Sequence, residues 1–358
     1  MLLVQAKTID SIDVTRIDVE VYVRHIWPIV LLGLFFSFGC NPASEPGVIV
    51  AGDSTGVTSD SPPVTYPYGI VATCGMVKDI VREVAGDKAE VKGLMGEGVD
   101  PHLYKPTRND VKQLMGADVV FYSGLSLEGR MADNFTSLAR NGKPVYPITE
   151  EIDPDFLREP PEFLGHFDPH VWMDVSAWSE CVAFIAKALG EYDTANADFY
   201  ITNAVAYREE LSKLDAYAKQ SIATIPENRR VLITAHDAFG YFARAYKIEV
   251  RSVQGLSTES QAAVRDINNL VEFIVEKKIP SIFVESSVSE KNVRSIIEGA
   301  GQQGWEVKIG GELFSDAMGS PDSYEGTYIG MMDHNVTVIT RALGGEAPES
   351  GLNGKLHP

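Results

Sequence analysis

The chain has 358 residues, of which 44% are hydrophobic and 23% are charged. This composition is typical of a folded protein with one large or two medium domains, and it excludes a disordered chain and a multi-span membrane protein. Asp and Glu outnumber Lys and Arg by 50 to 31, so the formal net charge is −19. We expect no nucleic-acid partner, because binding a phosphate backbone requires a basic surface.

The N-terminal part contains one apolar run, at residues 26–40, preceded by Arg24 and His25. Its apolar part, about 13 residues, is too short to span a bilayer but fits the hydrophobic region of a signal peptide. A stretch rich in Pro, Gly, Ser and Thr follows. We therefore predict a signal or lipoprotein leader at residues 1–40 and a flexible tether at residues 41–67.

The end of the leader, Gly39-Cys40, resembles a bacterial lipoprotein signal, in which Cys40 becomes the lipidated first residue and anchors the protein to the membrane. Ser37 and Phe38 depart from the usual lipoprotein pattern. Residues 1–23 are unusually long for the start of a signal peptide and contain acidic residues, so a translation start further downstream is an alternative. A soluble secreted form and an uncleaved anchor are the alternatives. All three place the body outside the cytoplasm, in the periplasm or on the cell surface.

From residue 68 onward, short β-branched runs alternate with amphipathic stretches. The first half predicts strands at 69–74, 89–95, 118–124 and 143–148, with helices at 76–86 and 107–117. The second half predicts strands at 229–235, 248–255, 280–286 and 305–311, with helices at 259–278 and 289–301. This alternation indicates an α/β protein with two (β/α) lobes and mainly parallel sheets, at residues 68–193 and 227–346 with a tail at 347–358, although one long sheet stays open.

The two halves are separated by residues 194–226, which contain no glycine and no proline before Pro226. Apolar residues recur in this segment at helical spacing. We predict one long linking helix, of about 28 residues and roughly 40 Å. Such a helix is a stiff connector, so we expect only small movements of the lobes.

Three cysteines occur, Cys40, Cys74 and Cys181, and none forms a CxxC pair. A cysteine zinc site is therefore excluded. Cys74 and Cys181 are compatible with a disulfide, but free buried cysteines are common.

An Asp-Pro-His sequence occurs twice, ending at His102 and at His170. Because proline restricts its own backbone and that of the residue before it, each histidine stands on a stiff, non-helical turn. His236 follows a predicted strand, and Asp316 follows the last one, at the strand ends where open α/β sheets bind ligands. Three imidazoles and a carboxylate suit zinc and also manganese.

Each of these residues also has a structural alternative as a surface or hydrogen-bonding side chain. Asp168 can cap or orient as well as bind, and Glu285 fits a role in buried hydrogen bonding. His166 fits a solvated loop or an auxiliary ligand, and His334 lies in a helical, structural setting.

The longer motifs, which include "GVDPHLYKPTRND", "DPHVWMD", "TAHDAFGYF", "QGLSTESQAA" and "IGGELFSDAMG", resemble the TroA-like metal-binding receptors of zinc and manganese ABC importers. The resemblance runs from about residue 68 to residue 345. It implies two lobes joined by a backbone helix, one metal ion bound between them as cargo, and delivery to a membrane permease. The family's ligands fall on His102, His170, His236 and Asp316.

The resemblance also bears on the metal. Manganese-selective members often carry glutamate at the third ligand position, where this chain has His236. Many zinc-specific members carry a long histidine-rich loop before the second histidine, and this chain has only "REPPEFLGHFDPH". The resemblance thus implies zinc, or both zinc and manganese, without a scavenging loop.

Two other functions compete with a monomeric receptor. A secreted zinc hydrolase could use the same ligands, but it would need an open coordination position and a general base, and no HExxH sequence occurs. An adhesin or scaffold could carry the metal only for stability. For the receptor we expect metal affinity to fall below about pH 6 to 6.5, because the metal binds neutral imidazole.

Overall fold

The computed structural model describes residues 64–259 and 262–357. The predicted leader, Cys40 and most of the predicted tether lie outside these residues. Within the described residues, no helix combines the length and the apolar character needed to cross a membrane.

A four-stranded sheet forms the first half. Its strands are β1 (Tyr68–Ala72), β2 (Ala89–Gly93), β3 (Val119–Tyr122) and β4 (Val145–Pro147). They pair in parallel in the order β2-β1-β3-β4. The helices of this half are α1 (Gly75–Ala85), α2 (Arg108–Gly116), α3 (Ala132–Arg140) and α4 (Val175–Tyr192).

The start of α2 shows how the sequence sets a helix boundary. The Thr107 hydroxyl accepts a hydrogen bond from the Asp110 backbone N–H, and the Asp110 carboxylate accepts one from the Thr107 backbone N–H. This reciprocal pair is a capping box, which satisfies two N–H groups that a helix start leaves free. Helix α2 therefore begins at Arg108, directly after Thr107.

A single helix, α5 (Ala197–Ala223), of 27 residues, links the two halves. The predicted apolar stripe is buried, including Tyr200, Tyr207, Leu211 and Leu214. Helix α5 packs on α1 and α4 of the first half and on helices of the second half. Because one hydrophobic core runs continuously from the first half through α5 into the second, the connector is stiff.

Four more strands make up the second half: β5 (Val231–Thr234), β6 (Glu249–Ser252), β7 (Ser281–Glu285) and β8 (Lys308–Leu313). β5 pairs with β6 and β7 with β8, both in parallel, and β5 lies beside β7. The helices are α6 (Gly240–Tyr246), α7 (Val264–Lys277), α8 (Lys291–Gln302) and α9 (Tyr328–Ala342).

The predicted α/β class with mainly parallel sheets and one long connecting helix is confirmed. In the described residues, the strands of the first half do not pair with those of the second. The boundaries at 68–193, 194–226, 227–346 and 347–358 stay predictions.

Two differences from the predicted elements have physical reasons. Helix α7 begins at Val264 rather than at residue 259, because the backbone is extended at Ala263. Sequence analysis also missed α4. This helix is apolar around most of its circumference and its exposed residues form only a narrow stripe, so its amphipathic pattern is weak.

Candidate metal centre

The four predicted ligands come together from four separate loops. His102 lies between β2 and α2, and His170 precedes a single 3-10 turn, Val171–Met173, that leads into α4. His236 follows β5, and Asp316 follows β8. One nitrogen or oxygen from each side chain lies within 4.8 Å of the others.

The distances between these atoms match a small coordination shell. The Nε2 atoms of His102 and His170 are 3.3 Å apart. The Asp316 carboxylate lies 3.4 Å from His170 Nε2 and 3.1 Å from His236 Nε2. Ligands at about 2.0–2.1 Å around tetrahedral zinc are separated by about 3.3 Å, so the four side chains fit such an ion with little movement.

Buried polar atoms in this cluster have no hydrogen-bond partner. His236 Nε2 and both carboxylate oxygens of Asp316 are enclosed, and none makes a hydrogen bond of acceptable geometry. His236 is 0% exposed and Asp316 is 1% exposed. Leaving such atoms unsatisfied costs free energy, and a cation bound between them would remove that cost.

The second Asp-Pro-His turn is supported by its own aspartate. Asp168 Oδ1 accepts hydrogen bonds from the His170 backbone N–H at 3.0 Å and from the ring Nδ1 at 2.8 Å. Its other oxygen, Oδ2, accepts from Arg158 Nη1 at 2.5 Å. Since Nδ1 donates to Asp168, Nε2 is the ring nitrogen that faces the cluster and is free to bind a metal.

The first Asp-Pro-His turn is supported differently. Asp100 Oδ1 accepts from the His102 backbone N–H at 2.8 Å, as Asp168 does for His170. Its Oδ2 accepts from the Thr258 hydroxyl at 2.5 Å, in the segment that follows β6. The Asp100 carboxylate therefore fixes the turn against the second half of the molecule.

Glu285, at the end of β7, orients the third histidine. Its Oε1 accepts from the backbone N–H groups of Ala235 and His236, and its Oε2 accepts from His236 Nδ1 at 2.5 Å. This contact again directs Nε2 towards the cluster. Buried hydrogen bonding was the role expected for Glu285, and its partner is a predicted ligand.

Trp172 connects the two sides of the cluster. Its indole Nε1–H donates to the Ser315 carbonyl at 2.8 Å, directly before Asp316. The Tyr328 hydroxyl donates to the Trp172 carbonyl at 2.7 Å. The loops that carry His170 and Asp316 are therefore held in register by buried hydrogen bonds.

The electrostatics of the cluster are set by burial and by Asp316. Burial lowers the pKa of His102 to about 4. Burial also opposes charge on His170, but the hydrogen bond that its ring donates to Asp168 and the charge of Asp316 outweigh it and raise the pKa of His170 to about 9. Burial likewise opposes charge on His236, and the charges of Glu285 and Asp316 raise its pKa well above the ordinary value.

A comparison with protein families gives one match over most of the chain. The family described as zinc-uptake complex component A, periplasmic (ZnuA), matches residues 70–342. The chain belongs to this family.

Individual relatives agree with the family assignment. The zinc-binding protein TroA of Treponema pallidum is 44% identical over 274 residues, which cover 76% of this chain and 88% of that protein. The manganese-binding lipoprotein MntA of Bacillus subtilis is 43% identical over 291 residues, which cover 81% of this chain and 93% of that protein. The solved structure of periplasmic TroA from Treponema pallidum superposes with a TM-score of 0.75 at 44% identity, covering 77% of this chain and 99% of that one.

Among the described residues, the other histidines and cysteines lie outside this cluster. His166 is exposed, with its ring against Phe163. His334 lies in α9, where its Nε2 contacts the Glu312 carbonyl at 3.0 Å. Cys74 and Cys181 are both free and buried, so they form no disulfide with each other.

Sequence analysis did not identify every residue that contacts the cluster. Asp100 and Asp168 were visible as parts of a repeated motif. Arg158 and Trp172 were not predicted, because Trp172 contacts a segment far away in the sequence and the position of Arg158 depends on the packing of α6. The repeated Asp-Pro-His sequence pointed to Asp168, the partner of Arg158, but not to Ser315, the partner of Trp172.

Proposed function

We propose that this protein captures a divalent transition metal, zinc or manganese, and delivers it to the permease of an ABC importer. The ligands are His102, His170, His236 and Asp316. In this role the metal is cargo, and the protein is a receptor that holds it between the two lobes.

One observation carries this proposal: three imidazoles and one carboxylate converge, and three of their buried polar atoms have no partner among the described residues. Four protein ligands complete a tetrahedral shell. A catalytic zinc usually keeps one position open for water or substrate. The donor set therefore favours holding an ion over catalysis.

The donor set also bears on which ion binds more tightly. Nitrogen-rich sites bind zinc more tightly than manganese, in line with the general affinity order of divalent metals. The two relatives named for zinc and for manganese are 44% and 43% identical to this chain, so their names do not distinguish the metals. We propose that zinc binds more tightly and that manganese also occupies the site when zinc is scarce.

The competing function, a secreted zinc hydrolase, has no support from the comparisons. The relatives described above are named for metal binding, and neither name denotes an enzyme. We therefore propose a binding protein without catalytic activity.

The proposal extends to the location. One close relative is named as a lipoprotein and another as periplasmic. We propose that Cys40 is lipidated and anchors the chain as a monomer outside the cytoplasm, near its permease. Mass spectrometry of the mature N-terminus and release of the protein by Cys40→Ala would test the anchor.

Calorimetric titration tests the central claim. Full-length protein stripped with a chelator is titrated with zinc and separately with manganese. We expect one tight site per chain, lost or much weakened in His236→Ala. His166→Ala is the matched control, because this exposed histidine lies outside the cluster. No tight site in the wild-type protein, or equal losses in both variants, would overturn the proposal.

A further inference from the structure

The Asp168 carboxylate, which orients His170, is itself held by a guanidinium. Arg158 Nη1 lies 2.5 Å from Asp168 Oδ2, and the Asp168 carboxylate is 0% exposed. The main chains are also bonded, because the Asp168 N–H donates to the Arg158 carbonyl at 2.8 Å. A charged, bidentate-capable donor on a buried carboxylate fixes its position more firmly than a neutral partner does.

The guanidinium occupies space that exists only because residue 240 is glycine. A Cβ atom added at Gly240 would lie 1.2 Å from Arg158 Nη1 and 2.1 Å from its Cζ. Gly240 is the first residue of α6, a position where its backbone does not require glycine. Alanine is a better helix former than glycine, so the glycine costs helix stability and leaves room for the arginine.

Tyr241, the next residue of α6, also contacts Arg158 and Asp168. The Tyr241 hydroxyl donates to the Asp168 carbonyl at 2.9 Å and accepts from the Arg158 backbone N–H at 3.0 Å. Two consecutive residues of α6 therefore help to place Arg158 against Asp168. Tyr241 is hydrogen-bonded to both main chains, and Gly240 leaves space for the guanidinium.

We propose that Arg158 is a positioning residue for metal binding, acting through Asp168 on the ring of His170, and that the absence of a side chain at Gly240 admits its guanidinium. This inference rests on the proposed function. Arg158 and Gly240 would then tune the affinity of the site without touching the ion. Groups that orient a ligand from outside the coordination shell typically change metal affinity by 10–100-fold, and Arg158 acts one contact further out.

Gly240→Ala is the decisive variant. The Arg158 side chain is 26% exposed, so its flexible end can swing into solvent and the fold can accept the added methyl group. We expect zinc affinity to fall by about tenfold, although the substitution favours helix α6. Arg158→Gln should have a similar effect, and Arg158→Lys, which keeps the charge, should recover part of the loss.

A double-variant cycle separates positioning from a general loss of stability. If Gly240 acts through Arg158, then adding Gly240→Ala to Arg158→Gln should cause no further loss of affinity. Arg244→Gln is the matched control. Arg244 also lies over the Tyr241 ring, 5.2 Å from its centroid, and donates to the Phe156 carbonyl. We expect zinc affinity in that variant to equal that of the wild type.

The measurements are zinc affinity by chelator competition, the absorption spectrum of bound cobalt, and thermal unfolding of the metal-free protein. A changed cobalt spectrum in Gly240→Ala with an unchanged melting temperature supports the proposal. Wild-type affinity and spectrum in Gly240→Ala, or additive losses in the double variant, would overturn it while leaving the receptor function intact. Failure of the wild-type chain to bind zinc would instead overturn the receptor function, and this inference with it.

Discussion

The two Asp-Pro-His turns share a sequence but differ in what surrounds them. In both, the aspartate accepts a hydrogen bond from the backbone N–H of the histidine two residues later. In the second turn, Asp168 also holds the His170 ring and is itself held by Arg158. In the first, the remaining oxygen of Asp100 accepts from Thr258, across the boundary between the two halves.

The histidines of the two turns also differ in solvent exposure. His170 is 0% exposed, whereas His102 is 8% exposed and lines a cavity of about 320 Å³ together with Leu256 and Glu259. One sequence motif therefore supplies two kinds of predicted ligand, a fixed one in the interior and one at the rim of a cavity. We expect the second turn to determine how tightly an ion is held, and the first to lie where the ion enters and leaves.

Replacing each of the two histidines with alanine should have the largest effect on zinc affinity, and the two losses should distinguish the turns. We expect His170→Ala to lower zinc affinity by more than about hundredfold, beyond what loss of an outer contact causes. His102→Ala should cost less, because water from the adjoining cavity can take the vacated coordination position. Chelator-competition titrations of both variants measure the difference. A loss in His102→Ala that equals or exceeds that in His170→Ala would contradict the distinction between a fixed and a rim ligand.

Removing the charge of each aspartate should give the next largest effect. Asp168→Asn should weaken zinc binding by roughly 10–100-fold, because it disturbs the hydrogen bond that orients a ligand. Asp100→Asn should change the equilibrium affinity only a few-fold, since the Asp100 carboxylate contacts the backbone and Thr258. The two variants are matched in chemistry and in motif position, and each serves as the control for the other. Similar losses in both would show that the two turns are equivalent.

This asymmetry marks the limit of what the sequence could predict. The motif, the strand ends and the family resemblance were enough to name all four residues of the cluster, because each is a local feature. The partners of the two aspartates were not predictable, since Arg158 and Thr258 reach them only once α6 and the segment after β6 have packed. Helix α4 was missed for a different reason: most of its surface is buried and apolar, so only a narrow polar stripe identifies it in the sequence.

The pH dependence should also distinguish the turns. In the metal-free protein His102 has a pKa of about 4 and His170 a pKa of about 9. At neutral pH the metal therefore displaces a proton from His170 and from His236, whose pKa is also raised, and none from His102. We expect zinc affinity to rise with pH between about 6.5 and 9, by about tenfold per pH unit for each proton released.

This range lies above the limit of about pH 6 to 6.5 that the ordinary histidine pKa indicates. The raised pKa of His170 also determines how the stability of the metal-free protein depends on pH. A raised pKa of His170 stabilises the metal-free fold below about pH 6.5, and this contribution is lost as pH rises through about 9. Zinc should therefore raise the melting temperature more at pH 8.5 than at pH 6.5. Calorimetry in buffers of different ionisation enthalpy counts the protons released, and a count of zero at pH 7.5 would refute the assignment.

The smallest expected effect concerns the rate of metal release past the first turn. Beside His102, Arg130 forms an ion pair with Glu259, with Nη2 and Oε1 2.6 Å apart. Together with the hydrogen bond from Thr258 to Asp100, this pair holds the segment after β6 against the first half. Because the pair is largely exposed, Glu259→Gln should accelerate zinc release by only about two- to fivefold, with little change in the ligand geometry.

Stopped-flow transfer of zinc to excess chelator measures this rate. Arg130→Glu combined with Glu259→Arg restores the pair with reversed charges and should return the release rate towards that of the wild type. Arg208→Gln is the matched control, because it removes a comparable exposed pair with Glu180 on the surface of α4 and α5. The release rate should also rise less steeply with added salt in Glu259→Gln, because salt screens the wild-type ion pair and this variant lacks it. Unchanged release rates in both Glu259→Gln and Thr258→Val would place the exit elsewhere and leave His102 as a ligand without a role in exchange.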